Sequence, residues 1–245
     1  MRPLLRAELL KLRTTRTFVA LVGATLALSL LVVVLTGLLA NDWSENNTRS
    51  LFAADFTGLF IMLLGIIGMA GEWRHRTITG TFLAAPDRVR LMAAKGLSYA
   101  VAGVVLSLIV TVTIMVVGTV ILASRGIDTL SLATLIDVLW RNLLVAALVG
   151  ALGVGIGGLI RNQIVAIIGV LIVGFVVDPA LFAFAPEVAV YSPTGGAPGG
   201  IIDVDPFDGS DVDLLSPSLA VLVMLGWIAL FFAAAGARLR SRDLV

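Results

Sequence analysis

The sequence predicts an all-α integral membrane protein with six transmembrane helices, and three observations predict it. Charge is scarce, at 13% of 245 residues against 59% apolar, where a soluble domain carries roughly 25% charge. The charges are also clustered, leaving uncharged runs over 17–40, 56–71, 96–124, 142–160, 162–177 and 214–237. A spanning helix needs about 20 apolar residues. Four runs supply that length directly, the second borrows 51–55, and the fifth runs on through Asp178 and Pro179 to about Phe184. Helices are therefore expected at 17–40, 52–71, 96–123, 140–160, 163–184 and 215–237, in one transmembrane domain over 1–245. The third observation is asymmetry of basic charge. With the amino terminus in the cytoplasm, 14 of the 17 basic residues fall on the inner side, and only Arg49, Arg125 and Arg141 fall outside. The positive-inside rule counts Lys and Arg in short loops, so both termini are expected to be cytoplasmic.

The first element is amphipathic. Leu5, Leu9 and Leu12 stand at i, i+4, i+7 among Arg2, Arg6, Arg13 and Arg16, the pattern of a short helix lying in the headgroup layer against anionic lipid. An ordinary basic flank of helix 1 would look similar. The run 17–40 is too long for a signal-peptide core and lacks a small-x-small cleavage site, so it reads as an uncleaved first helix. A short polar outer loop follows at 41–50, with Trp43 as an interfacial anchor.

Helix 2 leads into the largest charge cluster between two spans, EWRHRTITGTFLAAPDRVRLMAAK at 72–95. Glu72 and Arg76 stand at i, i+4 with the acid first, a favourable helical pair, so helix 2 is expected to continue past the membrane surface. In the segment 77–84, Ile78 and Phe82 are four apart, beside Gly80 and Ala84. Pro86 breaks the path, and Pro86-Asp87 suits the first turn of a new helix that runs through Met92 and Lys95 into helix 3. The expected sequence is helix end, short helix, elbow, helix.

Helix 3 and the outer loop 125–137 carry no chemical signal. Helix 4 does, in the glycines of ALVGALGVGIGGLI. Gly153 and Gly157 form a GxxxG pair, with Gly150 one turn earlier, and such spacing lets helix backbones approach closely. That closeness serves packing in the bundle or a dimer, or the lining of a movable pathway. Arg161-Asn162-Gln163 is a tight turn, so helices 4 and 5 are expected to be antiparallel neighbours. The outer segment 185–213 is rich in Pro and Gly, and its charged residues are all acidic: Glu187, Asp203, Asp205, Asp208, Asp211 and Asp213. An EF-hand register fails there, because the sixth position from Asp203 is Asp208 rather than glycine. Ile201, Ile202 and Phe207 suit a hairpin that dips partly into the membrane.

Several chemistries lack their residues. There is no cysteine, so disulfides and thiolate metal sites are excluded. No GxxxxGK[ST] phosphate loop occurs. His75 is the only histidine and sits in the charge cluster, which removes HExxH zinc sites and reads as a solvated interface residue. Asp55 and Asp178 lie near outer helix ends rather than at a midplane, where ion-coupled carriers place ionisable groups. No catalytic, cofactor-binding or metal-ligating residue is expected.

Four stretches together resemble the type-two ABC transporter permease family, the membrane subunits of bacterial ABC exporters. RAELLKLRTTRT, with Glu8 and Lys11, is similar to that family's basic Glu-x-x-Lys entry into helix 1. The stretch 72–95 resembles its first cytoplasmic loop, GLIRNQIVAII agrees between helices 4 and 5, and RLRSRDLV is similar to its basic tail. The resemblance implies a plasma-membrane export permease that moves a hydrophobic or amphipathic compound between two protomers of a homo- or heterodimer. A separate ABC ATPase subunit would hold ATP and Mg, with no cofactor on this chain and no nucleic acid among its partners. It also implies a coupling helix at 77–84. The ATPase-coupling residues would be Glu72, Arg74, Arg76, Thr77, Ile78, Thr81, Phe82, Pro86, Arg88 and Lys95. No substrate-contacting residue is carried over. A non-transporting scaffold or immunity protein, or an ion-coupled carrier, would share the topology.

Overall fold

The computed structural model describes residues 2–41, 43–74, 88–160, 162–204 and 213–240. These are helical, with no strand among the described residues, and include six helices or helix pairs long and apolar enough to cross a membrane. In chain order the elements are α1 (Arg2–Thr14), α2 (Arg16–Leu39), α3 (Glu45–Ala53), α4 (Thr57–Arg74), α5 (Arg88–Ser124) and α6 (Leu132–Leu159). There follow α7 (Gln163–Ile172), a π-helical turn (Val173–Val177), α8 (Asp178–Phe184), α9 (Pro186–Ala189), α10 (Gly196–Ile202) and α11 (Pro217–Arg240).

Helix α6 is central. Of its most apolar window 67% is buried, against 17% for α2, for the α7–α8 span and for α11. It packs on α4, α5 and α11, and the glycines explain why it can. A Cβ on Gly153 would fall 2.9 Å from the Met62 Cα, and one on Gly157 would fall 2.9 Å from the Ile66 carbonyl oxygen, both on α4. A Cβ on Gly150 would sit 2.8 Å from the Tyr99 carbonyl oxygen on α5. The GxxxG pair therefore packs helices within one chain, backbone against backbone. The outer helices expose large apolar side chains, such as Val116 and Val120 on α5, Phe175 in the π-helical turn and Leu222 on α11. Helices this apolar on the outside belong in a lipid surround, where no polar face is required.

The described elements differ from the expected ones in four places. The second span is broken: α3 begins at Glu45, capped by the Ser44 hydroxyl, which accepts from the Asn47 N–H. It ends at Ala53, and the chain restarts at Thr57. The polar residues 45–50 are helical because the cap and the first-turn Glu45 favour it. Helix α6 starts at Leu132, eight residues before the expected 140, because Asp137 and Arg141 pair with each other at i, i+4 at 2.9 Å. Helix α7 packs chiefly on α4 rather than on α6, since Ile160 and Asn162 are both extended and redirect the chain. The fifth span is continuous through Pro179 as expected, by means of the π-helical turn, in which the Asp178 N–H reaches back five residues to the Val173 carbonyl. Finally, the segment after Phe184 folds back: Gly196–Ile201 are buried and join the core formed with α6 and α11.

The short helix expected at 77–84 lies outside the described residues. So do His75, Arg76, Thr77, Ile78, Thr81, Phe82, Pro86 and Arg161. Arg74 ends α4 and Arg88 begins α5.

Candidate functional site

Two polar sites stand out, one at each end of the bundle. The first, at the end carrying α1, is a cluster of four charges, three of them buried. Glu8 and Lys11 come from α1, Glu72 from the last turns of α4 and Lys95 from α5. Lys95 is 1% exposed. Its ammonium donates to Glu8 Oε2 at 2.6 Å and to the Gly68 carbonyl at 3.5 Å, and it lies 2.8 Å from Glu72 Oε1. An ammonium has three protons; two go to Glu8 and Gly68, and Glu72 adds an ion pair. Lys11 Nζ bridges the same acids, at 3.0 Å from Glu8 Oε1 and 3.2 Å from Glu72 Oε1. Two acids and two bases cancel, which is the condition for holding charge in an apolar interior.

Electrostatics follow from that geometry. Burial opposes ionisation of Glu8, yet the ammonium groups of Lys95 and Lys11 outweigh it and hold the carboxyl below its ordinary value. Burial likewise opposes the charge on Lys11, and Glu8 and Glu72 outweigh it and raise its pKa. Glu72 Oε2 is buried and accepts no hydrogen bond among the described residues. Beside the cluster lies a cavity of about 600 Å³ whose lining includes Phe18, Gly68, Tyr99 and Gln163. The sequence places Glu8 and Lys11 in one stretch and Glu72 and Lys95 in another; the structure brings all four together. It places Glu72 and Lys95 inside the bundle, fixing the two ends of 72–95, rather than on a surface. Leu12 is buried beside them, with Leu9 and Phe18 against the same core, so α1 is a packed element of the bundle.

The second site lies at the opposite end, in the break between α3 and α4. Asp55 sits in that break and both carboxylate oxygens are used. Oδ1 accepts from the Thr57 N–H at 2.8 Å and from the Thr57 hydroxyl. Oδ2 accepts from the Ser107 hydroxyl at 2.5 Å and the Thr111 hydroxyl at 2.9 Å, both on α5. Behind Thr111 stands Asn142 of α6, which donates to the Thr111 hydroxyl at 3.3 Å and the Phe52 carbonyl at 3.5 Å. The break leaves the Phe56 N–H without a helical partner, and the Ser29 hydroxyl of α2 accepts it at 3.2 Å. Asp55 lines a cavity of about 560 Å³ between α2, the break and α10. Asp178 shapes the far wall: 1% exposed, it accepts from Ser192 at 2.6 Å and Thr194 at 2.5 Å, and Thr194 lines the cavity.

The same end is tied by a second ion network. Arg49 of α3 lies 2.7 Å from Asp137 Oδ2 and 3.7 Å from Asp203 Oδ2, and Arg141 reaches both acids as well. Arg125 donates to the Gly37 and Ala40 carbonyls and lies over the Trp43 ring. All three basic residues at this end are thus engaged within the chain. Among the described residues no group of three or more His, Cys, Asp or Glu is arranged to hold a metal ion.

Sequence reasoning named Asp55 and Asp178 but gave their surroundings no part. Thr57, Ser107, Thr111 and Asn142 are single polar residues in apolar runs, and the one signal they offered was that spacing: Ser107 and Thr111 are four apart, on one helix face. No protein-family model matches the chain, and no curated protein matches it.

Proposed function

We propose that this chain is the membrane-spanning permease subunit of an ATP-driven exporter in a bacterial plasma membrane, with both termini in the cytoplasm. The ATPase is a separate subunit, and two permease chains pair. The observation that carries the reading is the Glu8–Lys11–Glu72–Lys95 cluster. It draws together two of the stretches that resemble the type-two ABC permeases, and it anchors both ends of 72–95. A segment clamped at its two ends to α4, α5 and α1 can pass a push from a docked ATPase into three helices at once, whereas a loose loop would absorb it. Arg76, Thr77, Ile78, Thr81, Phe82 and Pro86 are the proposed docking residues within the clamp.

The test is reconstitution with the ATPase in lipid vesicles. ATP-dependent flux of an amphipathic compound is expected, together with loss of flux and of ATPase binding in Phe82→Asp. Flux and binding that survive both Phe82→Asp and deletion of 77–84 would sink the reading.

A second reading has one observation in its favour, the break at Asp55. Carriers driven by ion gradients build their sites from interrupted helices. In that case flux would follow an imposed ion gradient without any ATPase and would stop in Asp55→Asn.

A further inference from the structure

We propose that the cavity at the α3–α4 break is a binding site for a lipophilic organic cation whose charge is not a hydrogen-bond donor, such as a quaternary ammonium or phosphonium. Asp55 supplies the counter-charge. The proposal names a substrate class for the export reading and rests on that reading only for the direction of movement.

Three features of the site carry it. The cavity has the size of a small-molecule pocket, about 560 Å³ against roughly 300–1,000 Å³ for such sites. Its wall is largely apolar, including Val32, Ala54, Phe56 and Ile202, and among the described residues Asp55 is the one charged residue in it. A carboxylate drawn out of water normally has a cationic partner; Asp55 is half-buried, and among the described residues no basic side chain pairs with it. The basic residues at this end are committed elsewhere, Arg49 and Arg141 to Asp137 and Asp203 and Arg125 to the Gly37 and Ala40 carbonyls. A cation that enters therefore meets a carboxylate with no cationic partner of its own among the described residues.

The hydrogen bonds decide which kind of cation. A carboxylate offers about four lone-pair sites, and Thr57, Ser107 and Thr111 fill them. A metal ion or a primary ammonium needs a free lone pair and would have to displace one of these donors. A quaternary centre needs none, because it is held by charge and by apolar or aromatic contact. Phe56 provides an aromatic wall beside the carboxylate. Behind Asp55, Asn142 adds no cation, donating to the Thr111 hydroxyl and the Phe52 carbonyl.

Tetraphenylphosphonium and tetraphenylborate have the same shape and opposite charge, so they separate charge recognition from apolar partition. Equilibrium dialysis on the purified full chain in detergent is expected to show saturable phosphonium binding and much weaker borate binding. In Asp55→Asn the phosphonium affinity should fall by about tenfold or more, with Asp55→Glu restoring most of it. Thr36→Trp narrows the cavity without touching the bonds to Asp55, and it should weaken phosphonium binding even where Asp55→Asn fails to fold. Non-saturable phosphonium binding, equal binding of both ions, or affinity within twofold of wild type in Asp55→Asn or Thr36→Trp would overturn the proposal. None of these measurements uses the ATPase. Failure to assemble with an ATPase would count against the export reading and leave this site standing, while loss of the site would leave that reading standing.

Discussion

Lys95 Nζ lies 2.6 Å from Glu8 Oε2, across 87 residues of sequence and inside the bundle. The contact joins the amino-terminal helix to the start of α5, and Glu72 at 2.8 Å brings in the end of α4. Removing Lys95 would leave two buried acids with only Lys11, whose side chain is 56% exposed. Breaking a buried charge cluster from one side costs about 3–5 kcal/mol, so Lys95→Met should destabilise the chain by that order. Lys11→Met should cost about 1 kcal/mol or less, because solvent screens an exposed cation. Denaturant unfolding in mixed micelles measures both. Equal losses in the two variants would show that Lys95 is not the centre of the cluster.

The cluster also sets a pH window. The pKa of Glu8 is lowered in the folded chain, so its contribution is fully present above the ordinary value of 4.5 and is lost as pH falls through the lower folded value. Lys11 is raised, so its contribution is present below its ordinary value of 10.5 and is lost as pH rises through the folded value. Thermal unfolding of wild type and Glu8→Gln across pH is the measurement. The gap between them should be widest in the neutral range and close on the acid side below 4.5. A gap that stays constant down the acid limb would mean that Glu8 carries no charge-dependent stability.

Gly153 and Gly169 make a matched pair. A side chain at Gly153 would meet the Met62 backbone, while nothing lies within 4 Å of a Cβ at Gly169. Backbone cannot move aside as a flexible side chain can, so Gly153→Ala should cost about 1–3 kcal/mol by forcing α6 off α4. Gly169→Ala should be neutral, or stabilising by up to about 1 kcal/mol through helix propensity. The two unfolding curves, compared in one detergent, decide it.

These cases show what the sequence carries and where it stops. Six spans were legible because charge is expensive in an apolar layer and the uncharged runs are long. The glycine run was legible because only close backbone packing needs such spacing. The start of α6 was not, because Asp137 and Arg141 read as loop charges until each is seen to neutralise the other. Nor was the break at Asp55, since the sequence gives no reason for the chain to leave the helix there. The bonds that hold it come from Ser29, Ser107 and Thr111 on other helices. The four-charge cluster was legible as residues but not as a site, because the partners of Lys95 are distant in sequence and only packing brings them together.

The last prediction concerns the folded-back segment around α10. Asp178 holds it by accepting from Ser192 and Thr194, and Gly195 passes so close that a Cβ there would lie 2.9 Å from the carboxylate. Further side-chain bonds tie the segment to the bundle, from Trp227 Nε1 to the Tyr191 carbonyl at 2.9 Å, from Arg141 to the Ile201 carbonyl at 3.0 Å and from Arg49 to the Ile202 carbonyl at 3.3 Å. Asp178→Ala would leave two hydroxyls without their acceptor, and a buried polar group left unpaired costs about 1–3 kcal/mol. Part of that cost is avoidable, because the segment can swing outward and hydrate the hydroxyls. The expected result is therefore a local one: faster hydrogen exchange across 192–202, with α4, α5 and α6 protected as before. Asp178→Asn keeps one acceptor oxygen and should fall between alanine and wild type. Because Thr194 and Gly195 form one wall of the Asp55 cavity, the alanine variant should also weaken tetraphenylphosphonium binding while Asp55 itself is untouched. Unchanged exchange over 192–202 in Asp178→Ala would mean that the buried apolar contacts of Ala197 and Ile201 hold the segment without the carboxylate.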